Sequence, residues 1–220
     1  MNSGKQATVG IVDFGAGNIG NVRRALAKLG IAHEVLKSPC GMERLAPSLL
    51  LLPGVGAFRP AMEALASSGW KDALTGWAGM GGPLLGICLG MQLLCDNSSE
   101  DGQTEGLGLV EGCVTKLSGV KKIPHMGWNS VEPSGSEFPG NCLARGGQDF
   151  YFVHSFAVSG SPHCAAVTRV DGVQFDSALR RGNVAGFQFH PERSGPEGVS
   201  FLGRAISYMV AEYQEGADKC

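Results

Sequence analysis

The sequence predicts one α/β domain over residues 1–220, with a central mixed, mainly parallel sheet flanked by helices. Two observations support this fold class. Continuous apolar segments at 49–52 and 84–87 alternate with segments of helical periodicity, a pattern typical of parallel strands covered on both faces. The chain also has 220 residues, 43% of them hydrophobic, which is enough for one substantial core.

The first half predicts alternating strands and helices. A strand at 7–14, a helix at 18–29 and a strand at 31–36 form a βαβ unit, because Val22, Ala25 and Leu26 recur at helical spacing. Further predicted elements are a strand at 49–52, helices at 60–66 and 71–77, and a strand at 84–87 that leads into Cys88.

The second half changes character after about residue 108 and predicts short strands separated by turns, antiparallel in part. These strands are expected at 109–117, 129–131, 150–158, 165–170 and 184–190, followed by a closing helix at 198–212. Segment 134–147 is rich in Ser, Gly, Pro and Asn, which predicts a surface loop.

Composition narrows the function classes. The net charge of −2 and the lack of a Lys/Arg block argue against nucleic-acid or membrane-surface binding, since both need concentrated positive charge. Residues 1–8 lack a signal-peptide pattern, so a cytoplasmic location is expected. Seven scattered cysteines without a Cys-x-x-Cys pair indicate neither a disulfide framework nor a zinc site, and we expect no metal and no cofactor.

Cys88 lies in the segment Gly86-Ile87-Cys88-Leu89-Gly90, between a predicted buried strand and a predicted helix. This spacing is typical of a nucleophile elbow, a turn so tight that small residues must flank the reactive one. The sequence therefore predicts that Cys88 is a catalytic nucleophile, although an intracellular cysteine is more often an inert buried residue.

His190 and Glu192 provide the second part of a catalytic site. They follow a strand in which Phe187 and Phe189 alternate, which predicts one buried face, and Pro191 ends that strand. An imidazole at this strand end can accept the thiol proton and return it to a leaving group, while Glu192 orients the ring. We therefore predict a triad of Cys88, His190 and Glu192.

Attack on an amide also needs donors for the developing oxyanion. The N–H of Leu89, directly after the nucleophile, is one candidate. Val55 or Gly56, in the glycine-rich turn that follows the strand at 49–52, can supply a second donor. Glycines there also permit a peptide to rotate, so an oxyanion hole that forms only on demand is a hypothesis.

Two other interpretations use different residues. The spacing of Gly15, Gly17 and Gly20 matches a dinucleotide-binding loop, but the second strand ends at Leu36-Lys37-Ser38 without the acid that binds ribose. A papain-type peptidase would use Cys88 with His125 and Asn129, yet that histidine lies only 37 positions downstream of the cysteine.

The segments Gly86 to Gln92 and His190-Pro191-Glu192 together resemble class I, or triad, glutamine amidotransferases, which implies a flavodoxin-like fold and hydrolysis of glutamine. Within that class, the segments at 13–18, 53–56, 123–129, 151–155 and 190–194 resemble the glutaminase subunit of imidazole glycerol phosphate synthase, from histidine biosynthesis. Glutaminases of anthranilate or aminodeoxychorismate synthesis share the elbow and remain alternatives.

The resemblance also implies further roles. L-glutamine would be bound by Gly54, Gln92, Ser155 and Phe156. Ammonia would pass to a (βα)8-barrel cyclase subunit in a heterodimer, which would produce imidazole glycerol phosphate and aminoimidazole carboxamide ribotide. Trp128, Tyr151 and Arg193 would lie at the interface with this partner.

Overall fold

The computed structural model describes residues 7–135, 138, 140–143 and 147–217. Within these ranges the chain forms one large mixed sheet flanked by helices. The first half contains β1 (Thr8–Val12), α1 (Ile19–Lys28), β2 (Ala32–Leu36), α2 (Cys40–Leu45), β3 (Leu49–Gly54), α3 (Phe58–Ser67), α4 (Trp70–Gly79), β4 (Leu84–Cys88) and α5 (Leu89–Leu93). The predicted βαβ unit is confirmed, whereas the short helix α2 was not predicted.

The second half is rich in strands, as predicted. It contains β5 (Cys95–Ser98), β6 (Thr104–Glu105), β7 (Val110–Lys116), β8 (His125–Pro133), β9 (Gln148–His154), β10 (Phe156–Val158), β11 (Cys164–Val170), β12 (Val173–Arg181), β13 (Val184–Phe187) and α6 (Gly195–Ala217). The strand predicted at 150–158 is interrupted at Ser155, and β5, β6 and β12 were not predicted.

The parallel part of the sheet has the order β2-β1-β3-β4-β13, which is the flavodoxin-like arrangement. Strands β3, β4 and β13 are therefore neighbours. Their register aligns Gly54 with Cys88, and Phe187 with Ile87. The carboxyl ends of three strands that are far apart in the chain thus meet at one edge of the sheet, where open α/β folds bind their ligands.

Strand β12 joins the two halves of the sheet. It pairs antiparallel with β13 on one side and with β10 and β11 on the other, and β8 and β9 extend the sheet from β11. Asp176 and Ser177 on β12 are fully or almost fully buried. These buried polar residues break the apolar pattern that would mark a central strand, which explains why the sequence did not reveal it.

Aromatic packing holds the β13 end of the site in place. Phe150, Phe187, Phe189 and Phe201 are fully buried and contact one another with ring centroids 4.1 to 5.7 Å apart. Gln188, between two of these rings, is also fully buried. The prediction of a strand with one buried face was therefore wrong, because both faces are covered, and the strand ends at Phe187 rather than at residue 190.

The predicted surface loop at 134–147 lies partly outside the described residues. Of its described members, Phe138, Cys142 and Leu143 are buried, and Phe138 stacks against Tyr208 of α6. A surface position was therefore wrong for these three residues. None of the helices in the described part of the chain combines the length and apolar character needed to cross a membrane.

Candidate active site

Cys88 occupies a sharp turn between β4 and α5. Its backbone angles are φ 56° and ψ −113°, a conformation that residues with a side chain rarely adopt. A Cβ on Gly90 would lie 1.9 Å from the carbonyl oxygen of Leu52, and one on Gly86 would lie 2.6 Å from the carbonyl oxygen of Gly90. The flanking glycines are therefore required sterically, as predicted for a nucleophile elbow.

His190 and Glu192 follow β13, the strand next to β4 in the sheet. Nδ1 of His190 is hydrogen-bonded to Oε1 of Glu192 at 2.9 Å, and both side chains are almost completely buried. Glu192 lies in a single 3-10 turn, Pro191–Arg193, that begins directly after His190. The turn brings the carboxylate back to the ring, so Glu192 fixes the orientation of the imidazole.

The backbone of His190 is hydrogen-bonded to β9, a strand whose partner in the sheet is β8. Its N–H donates to the carbonyl oxygen of Tyr151 at 2.9 Å. Ser194 adds a second link, because its hydroxyl donates to the carbonyl oxygen of His190 and accepts the N–H of Tyr151. These bonds hold the histidine in place although the regular strand ends three residues earlier.

The charge state of His190 depends on both neighbours. Burial lowers its pKa, but interactions with the Cys88 and Glu192 side chains outweigh burial and raise the pKa to about 10. Nε2 of His190 is buried, and no atom in the described part of the chain is placed to form a hydrogen bond with it. This nitrogen is thus available on the side of the ring opposite Glu192, where Cys88 exerts its effect on the pKa.

A pocket of about 270 Å³ opens over Cys88. Binding pockets for small molecules typically measure about 300–1,000 Å³, so this pocket lies just below that range and suits a small ligand. The pocket is lined by Val55, Gly56, Cys88, Leu89, Gln92, Glu100, Pro124, Val153, His154, Ser155, Phe156 and His190. The fold thus brings together residues from five separate segments that the sequence had singled out.

The candidate oxyanion donors differ in their present bonds. Val55 N–H donates to the carbonyl oxygen of Ala16 at 3.4 Å, in the loop between β1 and α1. Leu89 is the first residue of α5, so its N–H has no acceptor within that helix. Gly56 lines the pocket with φ +102° and has open space around its α-carbon.

The amide of Gln92 is committed to protein partners. Its Nε2 donates to the carbonyl oxygen of Phe156 and to Oε1 of Gln188, both at 2.9 Å. An amide nitrogen has two protons, so none remains for a ligand, and only the oxygen of Gln92 is available to accept a hydrogen bond. A ligand ammonium can therefore use this side chain, whereas a ligand carboxylate cannot.

Ser155 and Phe156 both line the pocket, but their backbone groups point in opposite directions. Leu117 N–H donates to the carbonyl oxygen of Ser155 at 2.9 Å, so Ser155 faces β7. In an antiparallel ladder the next residue faces the opposite way. The N–H and carbonyl of Phe156 therefore point away from β7. The hydrogen bond from Gln92 to the Phe156 carbonyl oxygen agrees with this direction.

Glu100 is a pocket residue that sequence reasoning missed. It follows β5, and its Oε2 accepts the N–H of Phe58 at the beginning of α3, at 2.8 Å. No local motif marks this residue, because its partner lies 42 positions away. A carboxylate in the pocket wall suits a ligand ammonium group.

The three residues predicted at a partner interface form one cluster. Trp128 on β8 is directly opposite Tyr151 on β9, with ring centroids 6.4 Å apart. The guanidinium of Arg193 lies 4.4 Å from the ring centroid of Tyr151. Trp128 is 57% exposed and its neighbour Met126 is 58% exposed, so this cluster presents apolar surface to solvent.

The residues of the two alternative interpretations have other partners. The loop with the dinucleotide-like spacing packs against β3, since a Cβ on Gly17 would lie 3.3 Å from Pro53. It serves as a tight connection that also accepts Val55 N–H. His125 contacts His154 and Asn129 rather than Cys88, which removes the basis for a papain-type site.

Comparison with known proteins agrees with this geometry. A family model described as glutamine amidotransferase class-I matches residues 10–206. The chain is 45% identical over 198 residues to imidazole glycerol phosphate synthase subunit HisH of Desulfitobacterium hafniense, covering 88% of this chain and 91% of the relative. It is 41% identical over 209 residues to the same subunit of Geobacillus thermodenitrificans, covering 92% and 96%.

Solved structures share the fold at lower identity. A crystal structure of a glutamine amidotransferase has a TM-score of 0.72 at 20% identity and covers 92% of this chain and 98% of its own. The structure of PurLQS from Thermotoga maritima has a TM-score of 0.69 at 18% identity and covers 93% and 99%. With the family match and the relatives above, this chain belongs to the class-I glutamine amidotransferase family and, within it, to the HisH subunits of imidazole glycerol phosphate synthase.

Proposed function

We propose that this chain, as a single domain, hydrolyses L-glutamine through Cys88, His190 and Glu192 and delivers the ammonia to a cyclase subunit of (βα)8-barrel architecture. One observation carries the proposal. Cys88 and His190 lie at the carboxyl ends of adjacent strands in one pocket, and Glu192 holds the far side of the imidazole. Glutamine amidotransferase membership supports the choice of substrate.

The chemistry proceeds through a thioester. With its proton held by His190, the Cys88 sulfur attacks the side-chain amide carbon of glutamine as a thiolate. The carbon–nitrogen bond then breaks as the His190 imidazolium donates its proton to the leaving nitrogen, which departs as ammonia. Neutral His190 then takes a proton from water as the water oxygen attacks the thioester. The carbon–sulfur bond breaks, glutamate is released, and the proton on His190 restores the starting state.

The raised pKa of His190 fits the first of these steps. A pKa of about 10 keeps the imidazole protonated at neutral pH, so an acid is ready for the leaving nitrogen. Leu89 N–H and a donor from Val55 or Gly56 would stabilise the oxyanion. Glutamine would bind with its ammonium between Glu100 and the Gln92 oxygen and its carboxylate near the Phe156 N–H, alongside Ser155. Gly54, also predicted to bind glutamine, lies behind the elbow, where it pairs with Cys88 in the sheet.

Ammonia transfer requires a partner. Ammonia is protonated in bulk water and then no longer acts as a nucleophile, so a sheltered path to a second active site is needed. The exposed cluster of Trp128, Tyr151 and Arg193 is the proposed docking surface for the cyclase subunit, because exposed aromatic and Arg residues commonly dominate interface energetics. We also propose a cytoplasmic location, where its free thiols stay reduced.

A Cys88→Ser variant tests the proposal in a complex with the cyclase subunit of an imidazole glycerol phosphate synthase. We expect synthesis driven by glutamine to be lost, while synthesis driven by added ammonium salts persists, since the cyclase site is untouched. Cys113→Ser is the matched control, because this cysteine is exposed. Loss of both activities in Cys88→Ser would instead give the residue a structural role, and retention of both would refute the mechanism.

A further inference from the structure

Two buried histidines beside the pocket have no role in the mechanism above. His125 and His154 are 7% and 6% exposed, and Nδ1 of His125 lies 3.0 Å from Nε2 of His154. His154 lines the pocket, whereas His125 packs behind it against Phe152 and Phe175. Burying polar rings is unfavourable unless their nitrogens are hydrogen-bonded, so their partners indicate what the pair does.

The bonds at the two ends of the pair determine where its protons lie. Nδ1 of His154 is 2.9 Å from the carbonyl oxygen of Phe156, which can only accept, so this nitrogen carries a proton. Nε2 of His125 is 3.1 Å from the amide nitrogen of Asn129, which can only donate, so this nitrogen carries none. His125 must then carry its proton on Nδ1 and donate it to His154.

Both rings are therefore neutral and both are protonated on Nδ1. A second proton on His154 would face the Nδ1 proton of His125, and a second proton on His125 would face the amide protons of Asn129. The local electrostatics agree with this arrangement. Burial, opposed by the bond to Phe156 and aided by His125 and His190, lowers the pKa of His154 to about 3. Burial also lowers the pKa of His125, against the opposing effect of Asp171.

The Phe156 carbonyl links this pair to the pocket. It accepts from His154 and also from Nε2 of Gln92, at 2.9 Å. Gln92 in turn donates to Gln188, whose amide nitrogen lies 3.8 Å from the Cys88 sulfur. At the opposite end, Asn129 follows Trp128 on β8. One continuous series of hydrogen bonds thus runs from the exposed strand to the pocket wall.

We propose that the His125–His154 pair is a positioning device, which holds the Phe156 carbonyl and the Gln92 amide in a single orientation for glutamine and connects that wall to β8. This inference rests on the proposed glutaminase function. The pair acts through Phe156 and Gln92, so it controls how well glutamine binds rather than how fast the thioester forms. Removal of the pair should therefore raise KM with little change in kcat.

The proton arrangement can be observed directly in the wild-type chain labelled with ¹⁵N-histidine. At pH 7 we expect the ring-nitrogen shifts of His125 and His154 to show neutral rings protonated on Nδ1. Asn129→Asp replaces the amide by a carboxylate of the same shape that only accepts, so His125 must then place a proton on Nε2. Rings protonated on Nε2 in the wild type, or an unchanged His125 spectrum in Asn129→Asp, would overturn the proposal.

Kinetics of the complex with the cyclase subunit supply the functional readout. His154→Asn and His154→Leu have nearly the same shape, but only asparagine can place a donor near the Phe156 carbonyl. We expect His154→Leu to raise the KM for glutamine about tenfold, the equivalent of one hydrogen bond. His154→Asn should stay within about threefold of wild type, and kcat should change less than KM in both variants.

Equal KM values for the two variants, or a loss of kcat alone, would refute the positioning role. If His154→Leu does not fold, the KM for glutamine is measured instead in Asn129→Leu and Asn129→Asp, at the half-buried end of the series. Unchanged KM values in both of these variants would refute the positioning role. Wild-type activity separates the two proposals. An inactive wild-type complex would contradict the proposed function. An active wild-type complex whose variants keep the wild-type KM would contradict only this inference.

Discussion

The backbone N–H of Val55 donates to the carbonyl oxygen of Ala16, so one of the three candidate oxyanion donors is already engaged outside the pocket. For Val55 to serve the oxyanion, this bond must break and the turn that follows β3 must change conformation. Gly56, with φ +102°, lies directly after the donor. The isolated chain is therefore expected to hydrolyse glutamine slowly and to accelerate when the cyclase subunit and its ligand are bound.

Gly56→Ala tests the need for this freedom. A side chain in this backbone region costs about 1–3 kcal/mol and restricts the turn. We expect the kcat of the complex to fall about tenfold with KM nearly unchanged, because the oxyanion exists only in the transition state. Gly172→Ala is the matched control, since Gly172 also has positive φ and open space but lies in the turn between β11 and β12. Equal losses in both variants would contradict the prediction.

Gly90→Ala should destabilise the elbow itself. The new Cβ would lie 1.9 Å from the Leu52 carbonyl oxygen, and backbone cannot move aside as a flexible side chain can. We expect the free energy of unfolding to fall by about 3 kcal/mol or more, measured by urea denaturation. The comparison variant is Gly76→Ala inside α4, where nothing lies within 4 Å and alanine should stabilise the helix by about 0.5–1 kcal/mol. A Gly90→Ala variant as stable as wild type would rule out the steric requirement.

The protonation of His190 gives a pH-dependent prediction. Its pKa is raised to about 10, so the ring remains protonated at pH 8, and it should fall in both Cys88→Ala and Glu192→Gln, which remove the groups that raise it. Because the folded chain holds this proton more tightly, the contribution of His190 to stability is complete below about pH 6.5 and is lost as the pH rises through about 10.

Titration of the His190 ring by NMR checks these values. Glu212→Gln is a suitable control, because this carboxylate pairs with Arg180 at the surface rather than with His190. A His190 ring that is neutral at pH 8 in the wild-type chain, or a pKa that is unaffected by Glu192→Gln, would show that the carboxylate does not hold the imidazolium.

Glu100→Gln separates substrate binding from folding. The side-chain amide oxygen introduced at position 100 can still accept the hydrogen bond from Phe58 N–H, so the free energy of unfolding should change little. Loss of the negative charge next to the substrate ammonium should raise KM at least tenfold with a smaller effect on kcat. Glu105→Gln, at an exposed position on β6, should match wild type. An unchanged KM in Glu100→Gln would remove this residue from the proposed binding site.

Trp128→Ala should weaken the complex with the cyclase subunit. A half-exposed aromatic residue that anchors an interface typically contributes about 2 kcal/mol or more, so we expect Kd to rise at least tenfold in a calorimetric titration. Met80→Ala is the control, because Met80 is 77% exposed at the end of α4, outside the cluster. Identical affinities for both variants would place the docking surface elsewhere.

Local sequence patterns predicted much of this structure. The periodicity of apolar residues predicted the βαβ unit and the buried strand that leads to Cys88. Strand β12 escaped prediction, because its pairing with β10, β11 and β13 buries Asp176 and Ser177 through contacts that no local pattern records. The same reason applies to Glu100, which is identified only by a partner 42 residues away.

The sequence by itself determined the elbow and the order of the triad, because glycines at 86 and 90 flank Cys88 and a proline directly follows His190. Only the tertiary structure decided that Val55 is engaged with Ala16, that Gln92 offers an oxygen alone, and that His125 and His154 lie within hydrogen-bond distance of each other. Hydrogen bonds have direction, and a donor can be assigned only when its partner in space is known.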